Sequence, residues 1–306
     1  MSFEKSLLSV VICTHNPRPD YLMRVLKALE NQTLARDCWE LLLVDNASDK
    51  LLSAEVDIGS YPLARHIRED KLGLTPARLR GIQESQGEVL VFVDDDNVLN
   101  LDYLEIVLRI HKEWPMLGAW GGQIYPEFEE QPADWTKPYL GMLALREFKQ
   151  DRWSNSLHDH ETTPCGAGLC VRKIVADTYF EAVSVQASRL SLDRKGKALT
   201  SGGDFDLACT ACDLELGKGI FKDLKLLHLI PAFRVQESYL LKLQEEISYS
   251  GVMLSFLREK LIPKTTWLTR MKQTFQYHQK SSIERRFSKA SRRGFARALR
   301  EINAIS

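Results

Sequence analysis

Two patterns of apolar residues alternate along the first 125 positions of the chain. Short apolar runs at residues 7–13, 39–45 and 88–93, with a weaker one at 63–69, have the length and composition of buried strands. Between them, residues 21–32 and 75–86 carry apolar side chains at helical spacing. Strands that alternate with helices predict an α/β fold whose mostly parallel sheet is flanked by helices on both faces.

The second of these helices has clear boundary signals and an unusual charge. Thr75 is placed as its N-cap, with Pro76 at the first helical position and Gly87 as the stop. Arg78 and Arg80 then fall in its first turns, the end at which the helix dipole disfavours cations. A nearby anionic ligand would remove that penalty. The alternative is two solvated arginines on the outer face.

The remainder of the chain is less regular. A helix is predicted from about 101 to 114, and residues 126–164 read as irregular cover that acts as a lid over a cleft. A turn and helix follow at 201–217, and then a late strand and loop at 224–234. The sequence contains neither an internal repeat nor a low-complexity tract.

Three aspartates end the strand in "VLVFVDDDNVL", residues 89–99. Thr14, Asp45 and Asp94 all stand at carboxyl ends of predicted strands, where open α/β sheets bind ligands. Strand alternation directs Asp94 and Asp96 to one side and Asp95 to the other. A divalent metal with substrate phosphates beyond it would relieve the repulsion between Asp94 and Asp96. The alternative is a solvated turn that leads into an acid-tolerant helix start.

Composition narrows the class of protein. The chain has 306 residues, of which 44% are hydrophobic, and no window approaches the roughly 18 apolar residues of a membrane span. The N-terminus lacks the pattern of a secretory signal, and six irregularly spaced cysteines favour reduced thiols, so we expect a cytoplasmic protein. Cys209 and Cys212 lie on an apolar helical stretch, which favours core packing over a zinc site with Cys165 and Cys170.

Positive charge is concentrated near the C-terminus. Residues 258–300 carry thirteen Lys or Arg against two Glu, a net charge of +11 in a chain that sums to zero. Apolar residues recur there at helical spacing, namely Trp267, Met271, Phe275, Ile283, Phe287, Phe295 and Leu299. We expect an amphipathic helical extension on an anionic membrane surface, which makes the protein peripheral on the membrane's inner face. The alternatives are a helical hairpin packed on the acidic body or a homodimer contact; no recognition motif indicates nucleic acid.

Four segments together resemble a family 2 glycosyltransferase of the GT-A fold. They are "SVVICTHNPRPDYLMRVLKALENQT", "WELLLVDNASD", "LGLTPARLRGIQESQGEVLVFVDDDNVL" and "SGGDFDLACTACDLELGKGIFKDLKLLHLIP". The resemblance covers roughly residues 7–235. It implies a GT-A domain at 1–235, with a nucleotide-binding part at about 1–125 and an acceptor part at about 126–235, and it leaves 236–306 as the basic helical extension.

This resemblance implies an inverting transfer of a sugar from a nucleotide-diphosphate-sugar donor, usually a UDP-sugar. The acceptor would be a hydroxyl of a glycan or lipid-linked glycan, as in bacterial surface polysaccharide synthesis, and the cofactor Mn²⁺ or Mg²⁺. A nucleotidyltransferase is the alternative among enzymes. A catalytically silent scaffold that binds sugar nucleotides is the alternative outside them.

The resemblance also assigns the donor site residue by residue. The first loop of the fold lies against the nucleotide, the acid after the second strand reads the base, and an arginine approaches base and phosphates. The first acid of the DXD motif faces the ribose, and the middle residue of that motif lies beside the donor. Thr14, His15 and Asn16 match the first loop, Asp45 matches the acid that reads the base, and Arg78 matches the arginine. Asp94 and Asp95 match the first and middle residues of the DXD motif.

Metal and base are assigned in the same way. Asp96 matches the acid that holds the metal, and His228 matches a histidine that approaches metal or diphosphate. Relatives place the catalytic base in a Glu-Asp pair that opens a helix; here that pair is Gly203 and Asp204, so Asp204 is the expected base. The competing assignments are Asp206 as the base, Asp204 as a helix N-cap, and His228 as a core residue.

Overall fold

The computed structural model describes residues 8–196, 198–261 and 279–305. Within these ranges, nine strands form one sheet. The strands are β1 (Leu8–Thr14), β2 (Trp39–Asn46), β3 (Ala64–Glu69), β4 (Val89–Val93), β5 (Asn97–Leu99), β6 (Leu117–Phe128), β7 (Arg152–Ser154), β8 (Leu169–Arg172) and β9 (Gly217–Ile230).

The sheet has a parallel half and a mixed half. Its strand order is β3-β2-β1-β4-β8-β6-β9-β5, and β7 pairs with β9. The first four strands pair in parallel, whereas β8 is antiparallel to β4 and β6, and β5 and β7 are antiparallel to β9. Most strands therefore run in one direction, and the predicted α/β class with a mostly parallel sheet is confirmed.

Helices cover both faces of this sheet. They are α1 (Pro19–Glu30), α2 (Leu52–Glu55), α3 (Leu74–Glu84), α4 (Tyr103–Glu113), α5 (Lys173–Val185), α6 (Gly203–Asp213), α7 (Glu237–Glu259) and α8 (Ser282–Ile305). Val10 and Ile12 of β1 pack in the core that includes α1 and α4, whereas Val11 packs with α3, α5 and α6. Because side chains alternate across a strand, a fully apolar run such as β1 can fill both cores.

The start of α3 differs from the prediction. The helix begins at Leu74 after Gly73, whose φ of +142° favours glycine, and no side chain caps it. Thr75 is therefore not the N-cap. Its hydroxyl instead donates to the buried carboxylate of Asp193, 3.0 Å away.

Residues 126–164 are mostly irregular, as predicted, although they include short elements. β6 continues to Phe128, 3₁₀ turns span Asp134–Leu143 and His160–Thr162, and β7 lies between these turns. Met142, Leu143 and Ala144 reach the cleft described below. The segment therefore forms part of the wall of that cleft.

The C-terminal region is a pair of parallel helices. Arg286, Arg293 and Arg297 of α8 form ion pairs with α7 at Glu237, Glu245 and Glu246. The apolar face of α8 is buried against α7 and its neighbours, at Phe287, Ala290, Ala298 and Ile302.

This packing corrects one expectation and leaves another open. The predicted amphipathic helix exists at residues 282–305, but its apolar face is covered by protein and is not available to a lipid headgroup layer. The alternative of helices packed on the body describes α8 better, although α7 and α8 run parallel and therefore do not form a hairpin. Trp267, Met271 and Phe275 lie outside the described residues. Of the helices that are described, none combines the length and the apolar character needed to cross a membrane.

Candidate active site

A cleft of about 280 Å³ lies at the carboxyl ends of β1, β4 and β9. Eight of the residues predicted for the site line it: Thr14, His15, Arg78, Asp94, Asp95, Asp96, Asp204 and His228. Two predicted residues, Asn16 and Asp45, lie outside this lining. The sheet thus brings together side chains that are more than 200 positions apart in sequence.

The three aspartates form a turn and not an extended strand. β4 ends at Val93, and the N–H of Asn97, the first residue of β5, donates to the carbonyl of Asp94. The expectation that Asp95 would point away from Asp94 and Asp96 is therefore wrong, because the alternation rule applies only to extended backbone. All three carboxylates face the cleft.

Burial and mutual repulsion divide the charge among these aspartates unequally. Burial, followed by the charge of Asp96, raises the pKa of Asp94 and raises that of Asp95 to about 7, although the Thr14 hydroxyl donates to Asp95. Burial also opposes the charge of Asp96, but His228 and Arg234 outweigh it and lower the pKa of Asp96. Negative charge is therefore most favourable on Asp96.

His228 is oriented towards Asp96 by the pairing of β5 with β9. Asn97 lies opposite His228 in this ladder, which places His228 Nε2 3.5 Å from Asp96 Oδ2. The imidazole donates from Nδ1 to the Leu143 carbonyl at 3.0 Å, so Nε2 keeps its lone pair. Metal-bound histidines are held by the same kind of bond from the other ring nitrogen.

A divalent metal fits this pair of ligands. Asp96 offers a carboxylate oxygen and His228 a ring nitrogen, and Mg²⁺ or Mn²⁺ commonly takes few protein ligands when substrate phosphates supply the others. Across residues 8–196, 198–261 and 279–305, no group of three or more His, Cys, Asp or Glu side chains is arranged to hold a metal. The protein alone therefore provides an incomplete metal site.

Arg78 is held by a residue that the sequence did not indicate. Its Nη1 donates to Asp193 Oδ2 at 3.0 Å, and both side chains are only 4% exposed. Burial opposes the charge of Arg78, but the carboxylates of Asp193, Asp204 and Asp94 raise its pKa. Asp193 also accepts the N–H of Gly203 at 3.1 Å, so it joins Arg78 to the start of α6.

Asp204 lies in the first turn of α6 and faces the cleft. Its Oδ2 accepts the N–H of Gly166 at 2.7 Å, and the helix N-cap is Gly202, so Asp204 is not the cap. A Cβ on Gly166 would lie 2.7 Å from Arg78 Nη2 and 3.2 Å from Asp204 Oδ2. Glycine at position 166 thus allows the arginine, the carboxylate and the backbone to meet.

The rival base, Asp206, has a different environment. Its side chain is fully buried outside the cleft, where Arg189 approaches at 2.9 Å and Arg258 at 2.7 Å. These two guanidinium groups compensate its charge. Asp206 joins α6 to α7, and the structure brings Asp204, not Asp206, to the cleft.

Three residues predicted to contact the nucleotide have local partners. Asp45 accepts N–H groups of Ser48 and Leu52 and pairs with Arg68 at 2.7 Å, as expected of a turn-forming aspartate. Asn16, with φ of 49°, exchanges hydrogen bonds with Asp49. His15 donates to the Asn46 carbonyl at 2.8 Å and remains exposed at the cleft edge.

Sequence reasoning missed three charged residues in the cleft lining: Asp193, Arg194 and Arg234. Asp193 and Arg194 lie in the loop between α5 and α6, and no pattern marks them. Arg234 had a usable signal, since it follows the end of β9 by four residues at the sheet edge that binds ligands.

Two solved structures share this fold. TarS 1–349 from S. aureus superimposes with a TM-score of 0.52 at 13% identity, over 93% of this chain and 81% of that chain. GalNAc-T7 gives a TM-score of 0.51 at 16% identity, over 89% of this chain and 55% of that one. At such identities the likeness concerns the fold, which is that of GT-A glycosyltransferases with a helical C-terminal region.

The family of this protein is shown by a match between its sequence and a family model. The model of the family described as Glycosyl transferase family 2 matches residues 9–175, more than half of the chain. The protein therefore belongs to this family, and the expected class of enzyme, a glycosyltransferase, is confirmed.

Curated relatives match a shorter part of the chain. Polypeptide N-acetylgalactosaminyltransferase 3 of Drosophila melanogaster is 32% identical over 110 residues, 34% of this chain and 16% of that protein. Polypeptide N-acetylgalactosaminyltransferase 13 of Rattus norvegicus is 34% identical over 110 residues, 34% of this chain and 20% of that protein. The match thus spans a fifth or less of these two relatives.

Proposed function

We propose that the protein is an inverting, metal-dependent glycosyltransferase that uses a UDP-sugar. Its acceptor is a hydroxyl of a glycan or lipid-linked glycan, as in bacterial surface polysaccharide synthesis. The observation that carries this proposal is the single cleft that Asp96 and His228 share with Arg78 and Asp204. A pair of metal-type ligands, a cation for phosphate and a separate carboxylate base are the groups that sugar transfer from a diphosphate requires.

Asp204 is the proposed base. It takes the proton of the acceptor hydroxyl, whose oxygen attacks the anomeric carbon from the face opposite the nucleotide. The bond from that carbon to the diphosphate oxygen breaks, and the diphosphate leaves with the electron pair. The hydrogen bond from the Gly166 N–H fixes Asp204 Oδ2 and so orients the carboxylate for this step.

The nucleotide diphosphate that leaves in this reaction needs positive charge beside it. Arg78 is held in place by Asp193 and remains charged next to the cleft, so it is assigned to the nucleotide diphosphate. Asp96 and His228 would hold the divalent ion, which when bound supplies further positive charge to the diphosphate oxygens. Arg194 adds a third cation at the cleft edge.

The choice of uridine and manganese rests on two related structures. TarS has been solved in complex with UDP, and GalNAc-T7 with UDP, GalNAc and Mn²⁺. Both have the fold of this chain. UDP-sugars with Mn²⁺ are therefore the first donors and cofactor to test.

The acceptor side is assigned to the 3₁₀ turn 134–143 and to the first turns of α7. Leu143 and Tyr239 line the cleft, and Phe233 next to it is 51% exposed and contacts Tyr239 edge to face at 5.4 Å. An exposed aromatic face beside a polar cleft suits the apolar face of a sugar ring. Segment 126–164 is expected to order over the bound donor, as a lid does.

The exposed basic residues of α8 are assigned to an anionic membrane that carries lipid-linked acceptors. Lys289 and Arg300 are exposed on α8. Basic residues near such a surface contribute on the order of 1 kcal/mol each. This contact is electrostatic and does not use the buried apolar face.

The proposal is tested by a donor screen. The protein is incubated with a panel of UDP-, GDP- and dTDP-sugars and Mn²⁺, and nucleotide diphosphate release is measured with and without EDTA. We expect a UDP-sugar to release UDP only in the presence of metal. Release of pyrophosphate from a nucleoside triphosphate in the same assay, without UDP release, would instead indicate a nucleotidyltransferase.

A further inference from the structure

Arg234 lies between the two residues proposed to bind metal. Its Nη1 is 2.9 Å from Asp96 Oδ2 and donates to His228 Nε2 at 3.1 Å. The residue belongs to the 3₁₀ turn Ala232–Val235 between β9 and α7, and its side chain is 17% exposed. One guanidinium nitrogen thus engages the same two atoms that a divalent ion would use.

These contacts cannot coexist with a metal on both ligands. The lone pair of His228 Nε2 accepts an N–H from Arg234, so this nitrogen can bind a metal only after the guanidinium leaves. A bound metal ion and the Arg234 guanidinium would also both balance the negative charge of Asp96, which lies beside Asp94 and Asp95. The two cations are therefore competitors for one position.

The guanidinium is poorly satisfied in this position, which makes its displacement feasible. Within the described parts of the chain, Nε of Arg234 is buried without a hydrogen-bond partner. The Nε of Arg258 is likewise buried without a partner, but both of its terminal nitrogens donate, to Asp206, Asp213 and the Cys209 carbonyl. A buried donor without a partner is costly, and a diphosphate oxygen would supply one.

We propose that Arg234 is a placeholder cation. In the absence of donor it keeps Asp96 and His228 in the arrangement that binds metal, and it weakens binding of the metal alone. When a nucleotide diphosphate arrives with the metal, the guanidinium moves to the phosphate oxygens. This inference rests on the proposed function, because it takes the diphosphate as the new partner of Arg234, and it makes metal and donor bind cooperatively.

Direct metal binding tests the proposal without any sugar donor. Free Mn²⁺ is measured by electron paramagnetic resonance during titration of wild type, Arg234→Gln and Arg234→Met, with circular dichroism as the check of folding. Both neutral variants are expected to bind Mn²⁺ at least tenfold more tightly than wild type. Arg234→Met retains the apolar stem, so it serves if the glutamine variant does not fold.

Three further variants and the addition of UDP show whether tighter Mn²⁺ binding arises from loss of the Arg234 charge at Asp96. Arg234→Lys retains the positive charge and is expected to stay near wild type, and Arg109→Gln, which removes an exposed ion pair with Asp223, should change nothing. Asp96→Asn added to Arg234→Gln should abolish the tight binding. Adding UDP should tighten Mn²⁺ binding more in wild type than in Arg234→Gln.

The result that would overturn the proposal is equal or weaker Mn²⁺ binding by both neutral variants, which would make Arg234 a fixed structural partner. Tight binding that survives Asp96→Asn, or that Arg234→Lys shares, would overturn it as well. The readout involves no sugar transfer. Failure of the glycosyltransferase proposal would therefore appear in the donor screen and not in this titration.

Discussion

Two groups of buried carboxylates in this molecule have opposite charge balance. Asp206 is one carboxylate facing two guanidinium groups, those of Arg189 and Arg258, and it lies away from any cleft. The cleft instead holds the three consecutive aspartates Asp94, Asp95 and Asp96, of which Asp96 alone forms an ion pair with a guanidinium group within the described residues, that of Arg234. A carboxylate whose charge is balanced by guanidinium groups joins elements of the fold. An excess of negative charge in a cleft is stable only if a bound ligand or a proton balances it.

The largest expected effect of this difference is on turnover. Asp204→Asn should lower turnover about 10²- to 10⁴-fold, the usual cost of losing a general base, while the dissociation constant of UDP changes little. Steady-state kinetics and calorimetry on the same preparation check it. Asp223→Asn, an exposed aspartate outside the cleft, is the matched control. Full activity in Asp204→Asn would show that Asp204 is not the catalytic base.

The second effect is on stability. Asp206→Asn should lower the free energy of unfolding by about 3–5 kcal/mol, because it leaves Arg189 without its carboxylate and Arg258 with only Asp213 as a partner. Urea denaturation measures this. A loss below about 1 kcal/mol would mean that the compensated cluster does not hold α6 to α7.

A smaller change is expected for the same substitution in the cleft. Asp96→Asn should cost no more than about 1–2 kcal/mol, because Asp94 and Asp95 remain to compensate Arg234, and removing one of three like charges relieves repulsion. The same urea experiment measures it. If Asp96→Asn lowered the free energy of unfolding more than Asp206→Asn does, the cleft carboxylate and not Asp206 would be the one that stabilises the fold.

Parts of the cleft were predictable because they depend on local sequence. Apolar runs that stop at Thr14 and Val93 mark strand ends, and parallel strands bring those ends to one edge, so the positions of Thr14 and Asp94 followed. The orientation of Asp95 did not follow, because the sequence does not show that the backbone turns at the aspartates instead of remaining extended.

Other parts depend on contacts between distant residues. Asp193 pairs with Arg78 from 115 positions away, and Arg234 reaches Asp96 across β9. Neither pairing leaves a periodic signal in the chain. Thr75 shows the same limit, since its hydroxyl would suit a helix cap but is bound by Asp193 instead. Charge compensation is thus a property of the fold that sequence patterns do not disclose.

The smallest expected effect extends the comparison to α8. Arg293 and Arg297 pair with glutamates of α7, whereas Lys289 and Arg300 are exposed to solvent. Lys289→Gln, which removes one exposed positive charge, should weaken sedimentation with anionic vesicles at low salt by about 1 kcal/mol. Unchanged sedimentation, or none by wild type, would exclude a membrane role for this face.

Calorimetric titration of UDP tests whether the excess negative charge in the cleft marks a metal-dependent donor site. We expect Mn²⁺ to tighten UDP binding to the wild-type protein and Asp96→Asn, verified as folded, to lose this dependence. Equal affinity of the wild-type protein for UDP in Mn²⁺ and in EDTA would contradict it.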